Sequence, residues 1–573
     1  MSNLDWAVLA LTLTGIIAYG LWRSRSRDNG TMDDYLLAGK SLPWYHVCLS
    51  VMATQASAIT FLSAPGQGFS DGMRFVQFYF GLPLAMVVLS VTFVPIFHRL
   101  RIYTAYEFLE NRFDVRVRTL TAGLFLLQRG LSTGLSIYAP SIILSTILGW
   151  NIYWTNALMG GIVLIYTVTG GTKAISYTHL QQMLIVTVAM FLAGWLTVHL
   201  LPDGVGFVDA LKVAGKAGRM NLIDLKFDPD SRYNIWSGLI GGFFLQLSYF
   251  GTDQSQVGRY LTGQSVGQSR LGLLANGLLK VPMQFLILLV GVLVYVFYQF
   301  QEQPVFFNKQ EVQKLEQSQY APEYQLLNIK HQTLIAQRQR MALEMQVTLK
   351  TTDESGNPAQ TATVEQARTD LLATDEALKT IKADVVTLIK KNNPTADTND
   401  VNYVFLRFVL DYLPHGLIGL LIAVIFSASM GSIASAYNSL ASTTIVDVYQ
   451  RLVNRTGNDA HYLRASQWAT VGWGMFCIVV AQFANRLGSM IEAVNILGSL
   501  FYGVILGVFV VAFYLPRIGG RATLWATIIG EALVIGCYAL NLMAFLWLNV
   551  VGCVLVVGLA WGLQKFRYFG TVA

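Results

Sequence analysis

Apolar residues run along this chain in stretches of about twenty, the length an α-helix needs to cross a bilayer. The stretches cover residues 4–23, 45–69, 75–98, 119–148, 151–169, 178–200, 235–257, 273–299, 413–437, 466–485, 489–514, 522–541 and 543–562. The pattern predicts an all-α integral membrane protein with about thirteen transmembrane helices. Two stretches turn polar halfway across. Leu49 to Gly68 reads LSVMATQASAITFLSAPGQG, and Gly241 to Gln256 reads GGFFLQLSYFGTDQSQ. Lipid offers a backbone no hydrogen bonds, so interruptions at depth persist only where they line a cavity or lie buried in protein. Paired interrupted helices in the two halves of a polytopic chain mark a site for a small solute and its ion at mid-membrane.

Between the eighth and ninth stretches lies a polar insertion at 301–400, which divides the chain into 1–300, 301–400 and 401–573. Two helical runs, Lys309 to Lys350 and Val364 to Lys391, flank the breaker-rich TTDESGNPAQT. Their apolar residues recur at helical spacing, which predicts an antiparallel hairpin. The hairpin is a solvated decoration, a lid over the entry path, or a docking surface for a partner.

Charge changes the picture only through topology. Arg23, Arg25, Arg27 and Lys40, then Arg99 to Arg118, then Arg259 and Arg270, then Arg451 to Arg464, then Arg517 and Arg521, recur at alternate loops. The positive-inside rule puts these in the cytoplasm of a multi-pass plasma-membrane protein. The N-terminus and the insertion then lie outside and the C-terminus inside, as an odd number of spans requires. The first span has Asp5 near its start and no small-residue cleavage site, so it reads as a retained helix. With 13% charged residues against ~25% in soluble domains, the net charge of +7 reflects topology and implies no nucleic-acid partner. Cys48, Cys477, Cys537 and Cys553 lack metal or disulfide spacing and read as packing residues.

Five runs carry a resemblance: WYHVCLSVMATQASAITFLSAPG, GGTKAISYTHLQQ, YFGTDQSQVGRYL, LLKVPMQF and ASAYNSLASTTIVDVY. Together they resemble the sodium:solute symporter family, which includes sodium/glucose, sodium/iodide, multivitamin, and bacterial sugar and sialic acid carriers. The resemblance covers nearly the whole chain outside the insertion. It implies a leucine-transporter-type fold with a 5+5 inverted repeat and a leading extra helix, the interrupted segments being core helices 1 and 6. It implies secondary active transport of a sugar, sialic acid, carboxylate or vitamin by alternating access, coupled to sodium.

The resemblance also implies a sodium site between core helices 1 and 8, built from backbone carbonyls at Ala53, Ala56 and Ala428 and a hydroxyl pair at positions 431 and 432. The second hydroxyl is Ser432, but the first position is Gly431. An aspartate of the family's core helix 5 falls at His179. A small hard cation wants several oxygens, so both departures weaken the site, and Ser427, Ser429 or Ser435 stand close enough to supply a replacement hydroxyl. An imidazole titrates near pH ~6.5. Proton-coupled or sodium-independent transport is therefore the alternative to sodium coupling.

For the solute, the resemblance implies Gln55 and Thr60 on core helix 1, Gln246, Tyr249 and Phe250 on core helix 6, Lys280 on core helix 7 and Glu492 on core helix 10. The last alignment admits a slip of one residue. Independently, Lys280 and Glu492 stand inside apolar runs, where ionisable residues are functional candidates; Lys280 also stands where it could snorkel to an interface. Gln77 and Tyr79 are further candidates. No nucleotide loop, zinc motif or nucleophile constellation suggests an enzyme. The alternative from another class is a transporter-like solute sensor.

Overall fold

The structure is a computed structural model of the 573-residue chain and describes residues 1–24, 40–100, 102–355, 358–394, 396–484 and 489–565. It is helical throughout, and one isolated bridge, Leu42 with Gly263, is the only extended pairing among the described residues. In chain order the helices that build the core are α1 (Asn3–Ser24), α2 (Trp44–Gln55), α3 (Ala64–Asp71), α4 (Leu82–Val91), α5 (Val115–Leu148) and α6 (Ile152–His199). After them come α7 (Gly242–Thr252), α8 (Gln254–Tyr260) and α9 (Val266–Phe300). The insertion forms α10 (Ala321–Ser355) and α11 (Pro358–Asn392), and α12 (Leu417–Thr443), α13 (Asp459–Ala481), α14 (Met490–Tyr514), α15 (Gly520–Ala539) and α16 (Phe545–Lys565) complete the chain.

Eight helices among the described residues are long and apolar enough to cross a membrane, and two shorter apolar ones, Asn3–Tyr19 and Ile152–Val168, accompany them. The count differs from thirteen because polar interruptions divide some predicted spans into short pieces, while the stretches at 151–169 and 178–200 merge into the single helix α6. A straight helix would separate residues twelve positions apart by ~18 Å. Yet the Tyr166 hydroxyl lies 3.3 Å from that of Thr178, so α6 is bent between them.

Both polar interruptions are real breaks. α2 stops at Ala56, whose backbone is extended (φ −84°, ψ 98°) and whose N–H bonds the Met52 carbonyl at 2.9 Å. A π turn at Ile59–Ser63 then leads into α3. The Ala58 N–H, which a continuous helix would satisfy internally, is held by Ser429 Oγ of α12 at 3.1 Å. The second break is a single residue: Asp253 ends α7 and caps α8, accepting from the Ser255 N–H at 2.8 Å. α3 lies so close to its neighbours that a Cβ on Gly66 would stand 2.0 Å from the Val401 carbonyl oxygen and one on Gly68 2.4 Å from that of Leu288. Small residues permit this approach where lipid gives helices no hydrophobic drive to associate.

The insertion is the expected antiparallel hairpin: Arg338 pairs with Asp375 at 3.2 Å, and Thr374 donates to Met341. Its helices run further than the sequence pattern suggests, to Ser355 and from Pro358. Most of the breaker-rich run is therefore helical, and Pro358 stands at a helix start, where proline's missing N–H costs nothing. Residues 356 and 357 of that run lie outside the described residues. Arg338 also donates to the Tyr298 carbonyl at 2.7 Å and Tyr295 donates to Asp375 at 2.8 Å, so the hairpin is tied to the end of α9.

Candidate functional site

The two breaks face one cavity of about 100 Å³ in the middle of the bundle. Thr54, Gln55, Ser57 and Thr60 come to it from the first break, Leu245 and Tyr249 from α7, and Ser432 and Ala436 from α12. α14 contributes Ile491, Val494, Asn495, Gly498 and Tyr502. Interrupting a helix brings unspent backbone carbonyls to such a space, because the last carbonyls of α2 have no intrahelical donor.

The predicted solute residues divide. Gln55, Thr60 and Tyr249 line the cavity, and Gln55 Oε1 has no hydrogen-bond partner. Tyr249 accepts from Gln256 Nε2 at 2.7 Å. Gln246 and Phe250 lie behind the wall: both are fully buried, the Gln246 amide is unpartnered, and Phe250 packs on the Tyr249 ring. Lys280 is also fully buried with an unpartnered Nζ, away from the cavity lining. It does not reach an interface, so the snorkelling expectation gives way.

Glu492 does not line this cavity. Its carboxylate pairs with Arg232 at 2.9 Å and accepts from the Tyr233 hydroxyl at 3.0 Å, outside the cavity. Ile491, Val494, Asn495, Gly498 and Tyr502 form the inward stripe of α14 at helical spacing, and position 492 is turned ~100° away from it. Tyr79 lines the cavity, whereas Gln77 spends its amide on the Tyr233 carbonyl and the Asp224 N–H.

Sequence reasoning missed Arg129. It stands in the middle of α5, nine-tenths buried, on the cavity wall with Gln128, Ser132, Thr133 and Ser136. Its Nη1 lies 3.6 Å from Asp253 Oδ2, within ion-pair range but beyond hydrogen-bond geometry, and its Nε has no partner. Asp253 is meanwhile satisfied by Tyr502, whose hydroxyl donates at 3.0 Å, and by Ser255. The guanidinium is thus charge-compensated by Asp253 and hydrogen-bonded to the Tyr249 hydroxyl, while its buried Nε has no partner. An arginine inside the run GLFLLQRGLSTGLS was the available signal, since ionisable residues in spans are functional candidates.

The residues expected to hold the ion lie at or beside the first break. Ala53, Ala56 and Ala428 are buried around it. The Ser432 hydroxyl donates to the Ser429 carbonyl at 3.1 Å, which leaves its lone pairs to the cavity. Ser429 is spent, donating to Ile425 and accepting from Ala58. His179, fully buried on α6, sets Nδ1 3.2 Å from Ser50 Oγ and has an unpartnered Nε2. That nitrogen faces Gly431: a Cβ at 431 would lie 2.8 Å from His179 Nε2 and 2.7 Å from Gln182 Oε1. The missing hydroxyl and the missing carboxylate are one packing event, the imidazole filling the space a longer residue at 431 would need.

The model of the Sodium:solute symporter family matches residues 35–321 and 380–530, more than half of the chain, and leaves out most of the hairpin. The sodium-dependent multivitamin transporter of Oryctolagus cuniculus is 26% identical over 90% of this chain and 67% of its own length. The human sodium/iodide cotransporter is 33% identical over 51% of this chain, which spans 45% of that protein. A solved sodium-coupled sialic acid symporter superposes with a TM-score of 0.75 over 100% of this chain and 99% of its own, at 19% identity, a likeness of fold.

Proposed function

Since this chain belongs to the sodium:solute symporter family, we propose that it is a sodium-coupled secondary transporter, not an enzyme, and that its solute is a small organic anion. The observation that carries the anion is Arg129, a buried guanidinium on the cavity wall. Its planar fork suits a carboxylate, which it can grip with two parallel hydrogen bonds. Gln55, Thr60, Gln128, Ser132 and Asn495 bond the rest of the solute, and Tyr249 and Tyr502 close over it. The iodide relative, whose named solute is also an anion, supports this class.

Sodium sits at the first break, on carbonyls of Ala53, Ala56 and Ala428 and on Ser432, whose hydroxyl also borders the solute cavity. Held at both breaks, ion and solute favour the arrangement in which α2, α3, α7 and α8 close on them, and alternating access follows. The proton-coupled alternative gains nothing from the geometry, in which His179 rests on a serine and meets no carboxylate. We further place the N-terminus and the hairpin outside, the C-terminus in the cytoplasm, and any partner on the hairpin.

Proteoliposome uptake under separately imposed sodium and proton gradients tests this. Sodium-driven accumulation of small monocarboxylates is expected. Arg129→Gln should cut it by ~10–100-fold, the value of one charged hydrogen-bond partner, and Arg129→Lys should restore only part, having charge without the fork. Sodium-driven uptake of neutral sugars unaffected by Arg129→Gln would overturn the anion assignment. Uptake of nothing from a broad panel would favour a sensor.

A further inference from the structure

A second cavity, of about 250 Å³, lies on the outer side of the first break and opens to the lipid. Its floor is Met52, in the last turn of α2, and Phe61, in the π turn, both buried. Met190 of α6 walls one side and α9 the other, and the rim is Phe191 and Leu279, which are 59% and 51% exposed. Residues 279–287 lie midway along α9, residues 186–191 midway along the apolar 175–199 stretch of α6, and Met52 and Phe61 flank the first break, so the groove stands near the bilayer midplane, where headgroups do not reach. Its one hydroxyl, on Thr187, is spent on the Met183 carbonyl at 2.7 Å. Nothing in the lining invites water, and an apolar cavity of only ~150 Å³ already stays dry and takes benzene.

We propose that this groove is a binding site for the acyl chain of a membrane phospholipid, and that an inserted chain biases the first helix break. The occupant follows from place and chemistry: hydrocarbon tails are the medium against the rim at that depth, and methionine walls adapt to a flexible chain. The coupling follows from the floor. Met52 supplies the carbonyl that ends α2 at Ala56, and Phe61 begins the return into α3. A tail wedged against both binds one arrangement of the break better than another, and so shifts the population towards it. The inference does not depend on the nature of the transported solute.

The test uses the full-length protein in phosphatidylcholine bilayers doped with a phosphatidylcholine carrying a diazirine near the middle of one tail. Photolabelling should concentrate on the peptides containing Met52, Phe61 and Met190. Met190→Trp, which fills the groove from within, should lower that labelling about tenfold, the equivalent of two buried methylenes lost, and leave labelling of α16 unchanged. Leu279→Trp, which covers the rim from a half-exposed position and spares the core, should act in the same direction. In both variants amide exchange across residues 52–61 should change. Labelling spread evenly over lipid-facing helices, labelling indifferent to both variants, preferential occupation by a sterol photoprobe, or unaltered exchange at the break would each overturn the proposal.

Discussion

Gly431→Ser restores the hydroxyl that the family resemblance implies at this position, and the packing decides that alone it fails. The new Cβ would stand 2.7 Å from Gln182 Oε1 and 2.8–2.9 Å from the His179 ring, nearly 1 Å inside ordinary contact at ~3.5–4.0 Å. Gln182 has an unpartnered Oε1 and can swing aside. The imidazole is rigid, fully buried and tied to Ser50, and overpacking of this kind costs ~1–3 kcal/mol. His179→Asp makes room but buries a carboxylate, which is costly unless a cation joins it. Together the two changes relieve the clash and set a hydroxyl and a carboxylate beside the first break. We expect non-additivity of ~1–3 kcal/mol in a double-mutant cycle and a sodium requirement met at ~10-fold or more lower concentration in the double variant. Thermal unfolding in detergent, titrated with sodium chloride against potassium chloride at equal ionic strength, reads both, and sodium dependence of uptake reads the second. Additive effects, or a single Gly431→Ser variant with ordinary stability, would refute the claim that His179 and Gly431 form one unit.

Lys280→Met should preserve uptake and raise stability by ~1 kcal/mol or more, because it removes a buried ammonium with no partner; loss of uptake by folded protein would instead place Lys280 in the transport path. Glu492→Gln should leave solute KM unchanged and alter stability by less than ~1 kcal/mol, since Arg232, its partner, is 63% exposed; a tenfold rise in KM would return Glu492 to the site. At the base of the hairpin, burial pushes the Asp397 carboxyl up to about 7 against the two hydroxyls, Tyr138 at 3.3 Å and Tyr403 at 3.4 Å, that donate to it. The folded state holds this proton where the unfolded chain, with a pKa of ~3.9, has lost it. Its contribution is therefore full below pH ~4 and declines as pH rises towards about 7. Proteolysis of the hairpin should quicken across that window, and Asp397→Asn should abolish the trend; a hairpin that tightens as pH rises would refute it.

What the sequence could reveal divides along the range of the signal. The breaks were legible because the cost is local: polar residues and an Asp cap inside apolar runs have no bland explanation in lipid, and Ala56 and Asp253 stand where those runs predict. The hairpin was legible from its period, but not its length, since the turn-rich composition that suggests a long loop also suits the first and last turns of helices. The wall of the cavity was not legible in the same way. Which face of α14 turns inward depends on rotation set by packing against α7 and α16, and a shift of one position exchanges Glu492 for Ile491 while leaving the apolar pattern intact. Charge in an apolar run was a sound alarm that could not say what each charge faces. Lys280 raised it and proves sealed off, whereas Arg129 sits where the two breaks meet. The difference lies in Asp253: capping α8, it also stands 3.6 Å from Arg129, and a contact across 124 residues leaves no trace in the local sequence of either. The second break thus provides the countercharge that lets the Arg129 guanidinium remain buried beside the cavity.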